Sequence, residues 1–301
     1  MAAHAQQKVI LDTDMDSDVD DVHALAVLHA LEKKGEIEIL GVIVTSDDVH
    51  AASCVDVLNT FYGRPDIPIG VLKGQPTLRE FSKYTKALSE AFPHDLTSAE
   101  KAQDATVLYR KLLVENRDTS VTIVTIGHLT NFQNLLQSAP DEVSNMDGLT
   151  LAHKKVNRWI CMGGQFPEGK EANFYRPDPQ STLYSIKHWQ KEVIFCGWEA
   201  GNAIITGGPY LKNALDENHP VYRGFELFNG FAGRASWDQV AVLMLTEASS
   251  QFFTTVSDGY VHVYEDGSNV WKTDASKPHA YVKIKQGINP TTIARYLDDL
   301  I

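Results

Sequence analysis

The sequence predicts an α/β fold, an open and mostly parallel β-sheet with helices on both faces. Short apolar runs that read as buried strands alternate with segments of helical periodicity, and no long Gly/Ser linker or internal repeat interrupts the order. The first strand runs into a loop crowded with carboxylates and then into a helix. This places polar chemistry at a strand's carboxyl end, where open α/β sheets hold their ligands.

Taken in order, Val9, Ile10 and Leu11 form a short apolar run of the buried parallel-strand kind. Val22, Leu25, Ala26, Leu28 and Leu31 recur at helical spacing, so a helix starts at Asp20–Asp21. Ile37–Val44 is a second strand, His50–Phe61 a helix ending before Gly63, and Pro68–Val71 a third strand. The polar stretch from Phe81 to Gln103 reads as an irregular surface excursion. Ala105–Glu115 is helical, Val121–Ile126 a strand, and Thr130–Leu136 a helix capped by Thr130 or Asn131. Trp159–Met162 and Val193–Cys196 are two further strands. All 301 residues are expected to form one domain, with residues 1–7 disordered.

Composition narrows the class. At 43% hydrophobic the chain can bury a sizeable core, and its net charge of −12 argues against a nucleic-acid backbone as partner. No apolar run reaches membrane-span length, so no membrane association is expected. Cys54, Cys161 and Cys196 are odd in number and lie in apolar contexts, which disfavours structural disulfides. Ala2-Ala3-His4-Ala5 matches the remnant of a trimmed A-x-A signal without a charged or apolar segment before it. The compartment, cytoplasmic or exported, stays open.

The acidic loop carries the chemistry. Asp12, Asp14, Asp16, Asp18, Asp20 and Asp21 fall within ten positions. One or two aspartates would cap a helix, but six like charges need a counter-charge, and oxygen-only ligands suit calcium or magnesium. An EF-hand is excluded, because its sixth and twelfth positions are Ser17 and His23 here. A haloacid-dehalogenase phosphatase also opens on a strand and Asp-x-Asp, which Asp12 and Asp14 satisfy. That alternative stays open, although Met15-Asp16 stands where that family has a small Gly-Thr or Gly-Val pair.

The stretch from Asp12 to Leu25, DTDMDSDVDDVHAL, resembles the opening of the inosine–uridine nucleoside hydrolase family, D-T-D-x-G-x-D-D-A-x-A-L. It is longer by two residues and has Asp16 in place of the usual glycine. Four later segments are similar to the same family. Gly127-His128-Leu129-Thr130-Asn131 resembles G-P-L-T-N, and Met162-Gly163-Gly164-Gln165-Phe166 resembles M-G-G-x-F. Glu171-Ala172-Asn173 with Asp178-Pro179 resembles E-F-N-x-x-x-D-P, and Trp237-Asp238 resembles the H-D of a C-terminal segment.

The resemblance implies a nucleoside hydrolase-like sheet with a Rossmann-like core, a homodimer or homotetramer, and calcium-dependent hydrolysis of an N-riboside to ribose and free base. It implies calcium ligands at Asp14, Asp21, Asp238 and the Ile126 carbonyl, with Asp14 also the base. It implies a sugar-binding set of Asp20 or Asp18, Asp47 or Asp48, Met162, Glu171 and Asn173. Thr45-Ser46-Asp47-Asp48 replaces the family's V-x-G-N, and the short Phe166–Glu171 connection leaves out a second asparagine. Trp237 replaces a histidine that protonates the leaving base, so stacking on its indole is the expected substitute. His262 and His279 are alternative acids. A non-catalytic nucleoside- or sugar-binding homologue would keep Asp14, Asp21, Asp238 and Asn173 while lacking turnover.

Overall fold

The computed structural model describes residues 6–16, 18–74, 82–274 and 276–301. The N-terminal half runs β1 (Gln7–Thr13), α1 (Asp20–Lys33), β2 (Ile37–Val44), α2 (Ala51–Phe61), β3 (Ile69–Val71), α3 (Thr85–Ala91), β4 (Gln103–Asp104), α4 (Ala105–Glu115), β5 (Val121–Thr125), α5 (Thr130–Gln137), α6 (Gly148–Lys155) and β6 (Val156–Met162). It continues through β7 (Glu168–Gly169), α7 (Ala172–Tyr175), α8 (Pro179–His188), β8 (Val193–Cys196), α9 (Trp198–Asn202), β9 (Ile205–Thr206), α10 (Pro209–Ala214), α11 (Pro220–Asn229), β10 (Arg234–Ala235) and α12 (Trp237–Leu243). The C-terminal part adds α13 (Ser249–Phe252), β11 (Phe253–Val256), β12 (Tyr260–Val263), β13 (Asn269–Lys272), β14 (His279–Ile284) and α14 (Pro290–Asp298).

Nine strands form one sheet in the order β11-β14-β8-β6-β5-β1-β2-β3-β4, parallel throughout except for the β11–β14 edge pair. The expected open, mostly parallel α/β sheet is therefore the observed one. Strand β1 lies beside the central strand β5, and alternate residues of β1 face opposite sides. Val9 and Leu11 pack with Leu25, Leu28 and Val240, whereas Ile10 packs with Leu108, Phe132 and Trp159. Burial on both faces explains why these strands read as unbroken apolar runs.

From β1 the chain winds outward through β2 and β3 on one side, and through β5, β6 and β8 on the other. The reversal opens a crevice beyond the carboxyl ends of β1 and β5. The Asp12 carbonyl accepts from the Ile126 amide at 2.7 Å, so the loops leaving the two strands start side by side.

Several local expectations change. Gln7 is not disordered: it opens β1 opposite Ile37, and its side chain donates to the Leu245 carbonyl at 2.7 Å. Residues 1–5 of that expectation lie outside the described residues. The excursion before Gln103 contains α3, whose Leu88 and buried Tyr84 pack on the core. Helix α5 has Leu129 at its cap position and no side-chain cap. Asn131 is buried instead, donating to the Val44 carbonyl at 3.1 Å. The three cysteines are free and buried. No helix among the described residues is long and apolar enough to cross a membrane.

Candidate active site

The crevice is an open cavity of about 760 Å³. Five chain segments supply most of its lining: the β1–α1 loop, the end of β5, the end of β6, the turn around α7, and the β10–α12 junction. Its acids are Asp14, Asp18, Asp20, Asp21, Glu171 and Asp238, and Ile126, Met162, Asn173 and Trp237 share the lining. The structure thus brings together all but two of the residues to which the resemblance assigns a metal, base, sugar or leaving-group role.

The exceptions are Asp47 and Asp48, which do not line this cavity. Asp47 is exposed. Asp48 accepts from the His50 amide at 2.9 Å and from the Thr85 hydroxyl, so it fixes the start of α2 and its contact with α3.

Asp20, Asp21 and Asp238 are buried, and one oxygen from each lies within 4.8 Å of the others. Asp20 and Asp21 occupy the first turn of α1, and Asp238 occupies the first turn of α12, whose cap is Ser236. Burial and then the neighbouring carboxylates hold all three well above the ordinary carboxylate range. Such a set is stable when ionised only beside a compensating cation, and all-oxygen donors fit a hard divalent ion. Thr13 donates its hydroxyl to Asp21 and orients it.

Asp14 follows the last residue of β1 and lies outside that trio, partly open to the cavity. Burial, followed by the charges of Asp18, Glu171 and Asp16, pushes its carboxyl up to about 7. A carboxylate with a raised affinity for protons, facing a cavity, has the properties of a general base at neutral pH. Gly127 makes the arrangement possible, since a Cβ there would stand 2.7 Å from both the Cβ and the amide nitrogen of Asp14.

Asn173 donates its side-chain amide to the Ile126 carbonyl at 3.0 Å and to the Met162 sulfur at 3.1 Å. The carbonyl assigned to a metal by resemblance is therefore engaged by an asparagine of the sugar-binding set. Glu171 is held by the Gly164 amide at 3.0 Å and the Asn173 amide at 2.9 Å, and burial pushes its carboxyl up to about 7. The pair Gly163-Gly164 does not leave room for a ligand. A Cβ on Gly163 would lie 2.3 Å from the Phe174 ring, so these glycines seat that ring.

Asp18 is half-buried and clasped by Arg234, whose Nε lies 2.9 and 3.0 Å from its two oxygens. The Arg234 guanidinium stands 4.8 Å above the Trp237 ring, and the indole N–H donates to the Trp198 carbonyl at 3.0 Å. Neither alternative acid reaches the cavity. His262 is exposed and belongs to a separate surface pocket, whereas His279 is buried, and desolvation lowers it to about 4.

The sequence reading did not pick out Arg234, Tyr175, Trp198, Phe228, Lys83, Lys170 or Gln165 as cavity residues. Arg234 and Tyr175 adjoin segments already singled out. Gln165 lies within such a segment and Lys170 precedes Glu171, whereas Trp198, Phe228 and Lys83 come from distant parts of the chain and follow no local pattern that would have flagged them.

Buried acids at the switch point of a central parallel sheet form a polar site where open α/β folds hold their ligands. The chain belongs to the inosine-uridine preferring nucleoside hydrolase family, whose sequence model matches residues 9–294. Family membership sets the phosphatase alternative aside.

Curated relatives are distant. An uncharacterised protein of Schizosaccharomyces pombe is 26% identical over 71% of this chain, which spans 63% of that protein's length. The non-specific ribonucleoside hydrolase RihC of Salmonella paratyphi A is 23% identical over 75% of this chain and 73% of its own. Among solved structures, the inosine-uridine preferring nucleoside hydrolase of Bacillus anthracis aligns with a TM-score of 0.74 at 15% identity, covering 98% of this chain and 99% of its own. A plant nucleoside hydrolase gives 0.71 at 20% identity, covering 98% of each chain. The type III effector XopQ, solved with adenosine diphosphate ribose, gives 0.69 at 14%, covering 99% of this chain and 94% of its own. At these identities the likeness shows a shared fold.

Proposed function

We propose that the protein hydrolyses the N-glycosidic bond of a ribonucleoside or related N-riboside, giving ribose and free base, with calcium bound beside Asp14. The observation that carries this is the placement of a partly open Asp14 next to three buried aspartates at the β1/β5 switch point. Asp20, Asp21 and Asp238 would hold the cation. Asp21 and Asp238 keep the ligand role that the resemblance implies, and Asp20 joins them from its place in the trio. When bound, calcium would fix the vicinal ribose hydroxyls and the attacking water in one geometry.

The residues do the rest. Asp14 takes a proton from the water as the oxygen forms its bond to the anomeric carbon. Glu171 accepts from a ribose hydroxyl with its orientation set by two backbone amides, and the side-chain oxygen of Asn173, whose amide nitrogen is held by Ile126 and Met162, accepts from a second. The acids around the sugar stabilise the positive charge that builds on the ring as the bond to the base lengthens. Trp198, Trp237, Phe228 and Tyr175 line the remaining space with flat surfaces suited to a base. The assembly proposed is a homodimer or homotetramer, to be read by light scattering.

The test is release of reducing sugar from purine, pyrimidine and nicotinamide ribosides, and of free adenine from adenosine diphosphate ribose, included because the fold neighbour XopQ was solved with it. Ribose from at least one, lost after chelation and restored by calcium, is the expected result. No release from any would leave a nucleoside-binding protein. One observation favours that second reading: no histidine lines the cavity among the described residues.

A further inference from the structure

We propose that Arg234 is the leaving-group residue of this cavity, its fixed positive charge hydrogen-bonding the base as the glycosidic bond breaks. The inference rests on the riboside-hydrolase reading above. The cavity divides by depth and charge. Four of its acids, Asp20, Asp21, Glu171 and Asp238, are buried at its floor, while Lys83, Lys170 and Arg176 are exposed. Among the described residues, Arg234 is the one lining cation that is partly buried. It lies between two lining aromatic rings, 4.8 Å over Trp237 and 5.8 Å over Phe228, where a flat base would enter.

Three other lining donors are engaged elsewhere. The Trp237 N–H points to the Trp198 carbonyl, Lys83 to the Phe228 carbonyl at 3.1 Å, and Lys170 to Asp266 at 3.0 Å. Arg234 uses Nε and Nη2 on Asp18, and its Nη1 makes no hydrogen bond among the described residues. That ion pair fixes the guanidinium plane, so the remaining N–H groups are aimed before substrate arrives.

A guanidinium does not give up a proton at any working pH, so Arg234 stabilises charge and transfers none. In the balanced step, water adds to the anomeric carbon and Asp14 takes its proton. The electron pair of the broken bond stays on the base nitrogen, hydrogen-bonded to Arg234. Water then protonates the base, and Asp14 releases its proton to solvent.

The experiment compares kcat on inosine with kcat on para-nitrophenyl β-ribofuranoside in the calcium-loaded protein, since nitrophenolate departs without assistance. Arg234→Gln is expected to lower kcat on inosine about 10²-fold, the effect of removing one preorganised donor, and to leave the nitrophenyl substrate nearly unchanged. Equal losses on both would overturn the inference. Arg234→Lys keeps the charge without the fork and, should the Gln variant not fold, is read by the same ratio.

Asp18→Asn separates a tether from a leaving-group role. A purely tethering Arg234 predicts that Asp18→Asn shifts the inosine-to-nitrophenyl ratio as far as Arg234→Gln does, whereas the proposal predicts a smaller shift in the same direction, because the guanidinium keeps its charge and loses only its fixed plane. Tyr175→Phe, which removes a lining hydroxyl, is expected to leave the ratio unshifted, and a shift there in place of Arg234 would overturn the assignment. Wild-type protein releasing ribose from neither substrate would overturn the hydrolase reading and this inference with it. Wild-type turnover with equal losses overturns this inference alone.

Discussion

Asp14 concentrates the chemistry of the proposed reaction into one carboxyl. Asp14→Asn keeps the shape and removes the base, so turnover should fall by about 10²–10⁴-fold. The circular dichroism spectrum should be unchanged. A variant with near wild-type rates would place the base elsewhere, with Asp18 or Asp20 the next to test. Gly127→Ala probes the same carboxyl from behind: the added methyl would press on the Asp14 backbone at 2.7 Å, so the acid must shift. Activity should drop steeply and thermal stability should fall with it, because the methyl meets backbone, and a fully active variant would show that this loop accommodates the methyl. Trp237→Ala should cost roughly 1–3 kcal/mol in kcat/KM on inosine, the size of one base–aromatic contact. The loss on uridine should be smaller. Equal losses on both would mean that the indole only packs under Arg234.

Elements set where these residues stand. Helix α1 begins where the acidic loop ends, so Asp20 and Asp21 share its first turn, and α12 delivers Asp238 to the same point. Away from the cavity, Arg110 of α4 joins that helix to the segment before α6. It makes two 2.8 Å bonds to Asp141, one to Ser138, and others to the Ser144 and Met146 carbonyls. Arg110 is buried while Asp141 is half open to water, so its removal strands backbone carbonyls more than it exposes a lone acid. Arg110→Ala should therefore cost about 2–3 kcal/mol in urea unfolding at fixed calcium, with kcat intact at room temperature. A loss within experimental scatter would mean that water replaces the network.

At the scale of the whole molecule, calcium and protons compete for the same acids. Asp14 moves from an ordinary 3.8 to about 7, and Glu171 from 4.5 to about 7. A carboxyl raised in the folded state binds more protons there than in the unfolded chain. Metal-free protein thus loses stability from these groups as pH rises from about 4 to about 7. Buried histidines act in the opposite sense. Desolvation lowers His29 and His128 from 6.5 to about 4, so their contribution is intact at neutral pH and lost as pH falls below 6.5. The rise in Tm on adding calcium should accordingly be larger at pH 8 than at pH 5.5, where protons already neutralise the floor of the cavity. An equal rise at both values would show that calcium binds elsewhere.

The sequence by itself was enough for the sheet, the acidic loop and the family. Those signals are local: apolar runs such as Val9–Leu11, the helical spacing from Val22 to Leu31, and carboxylate crowding with few non-functional explanations. It also named most of the residues that line the cavity. Tertiary structure decided the partnerships. Asp20, not Asp14, joins Asp21 and Asp238, Asn173 reaches the Ile126 carbonyl, and Asp48 turns toward Thr85. The Asp18–Arg234 clasp joins residues 216 positions apart, and no local pattern marks such a pair. Spacing along a chain fixes which face or turn a side chain occupies, whereas its contacts depend on how separate loops pack above the sheet.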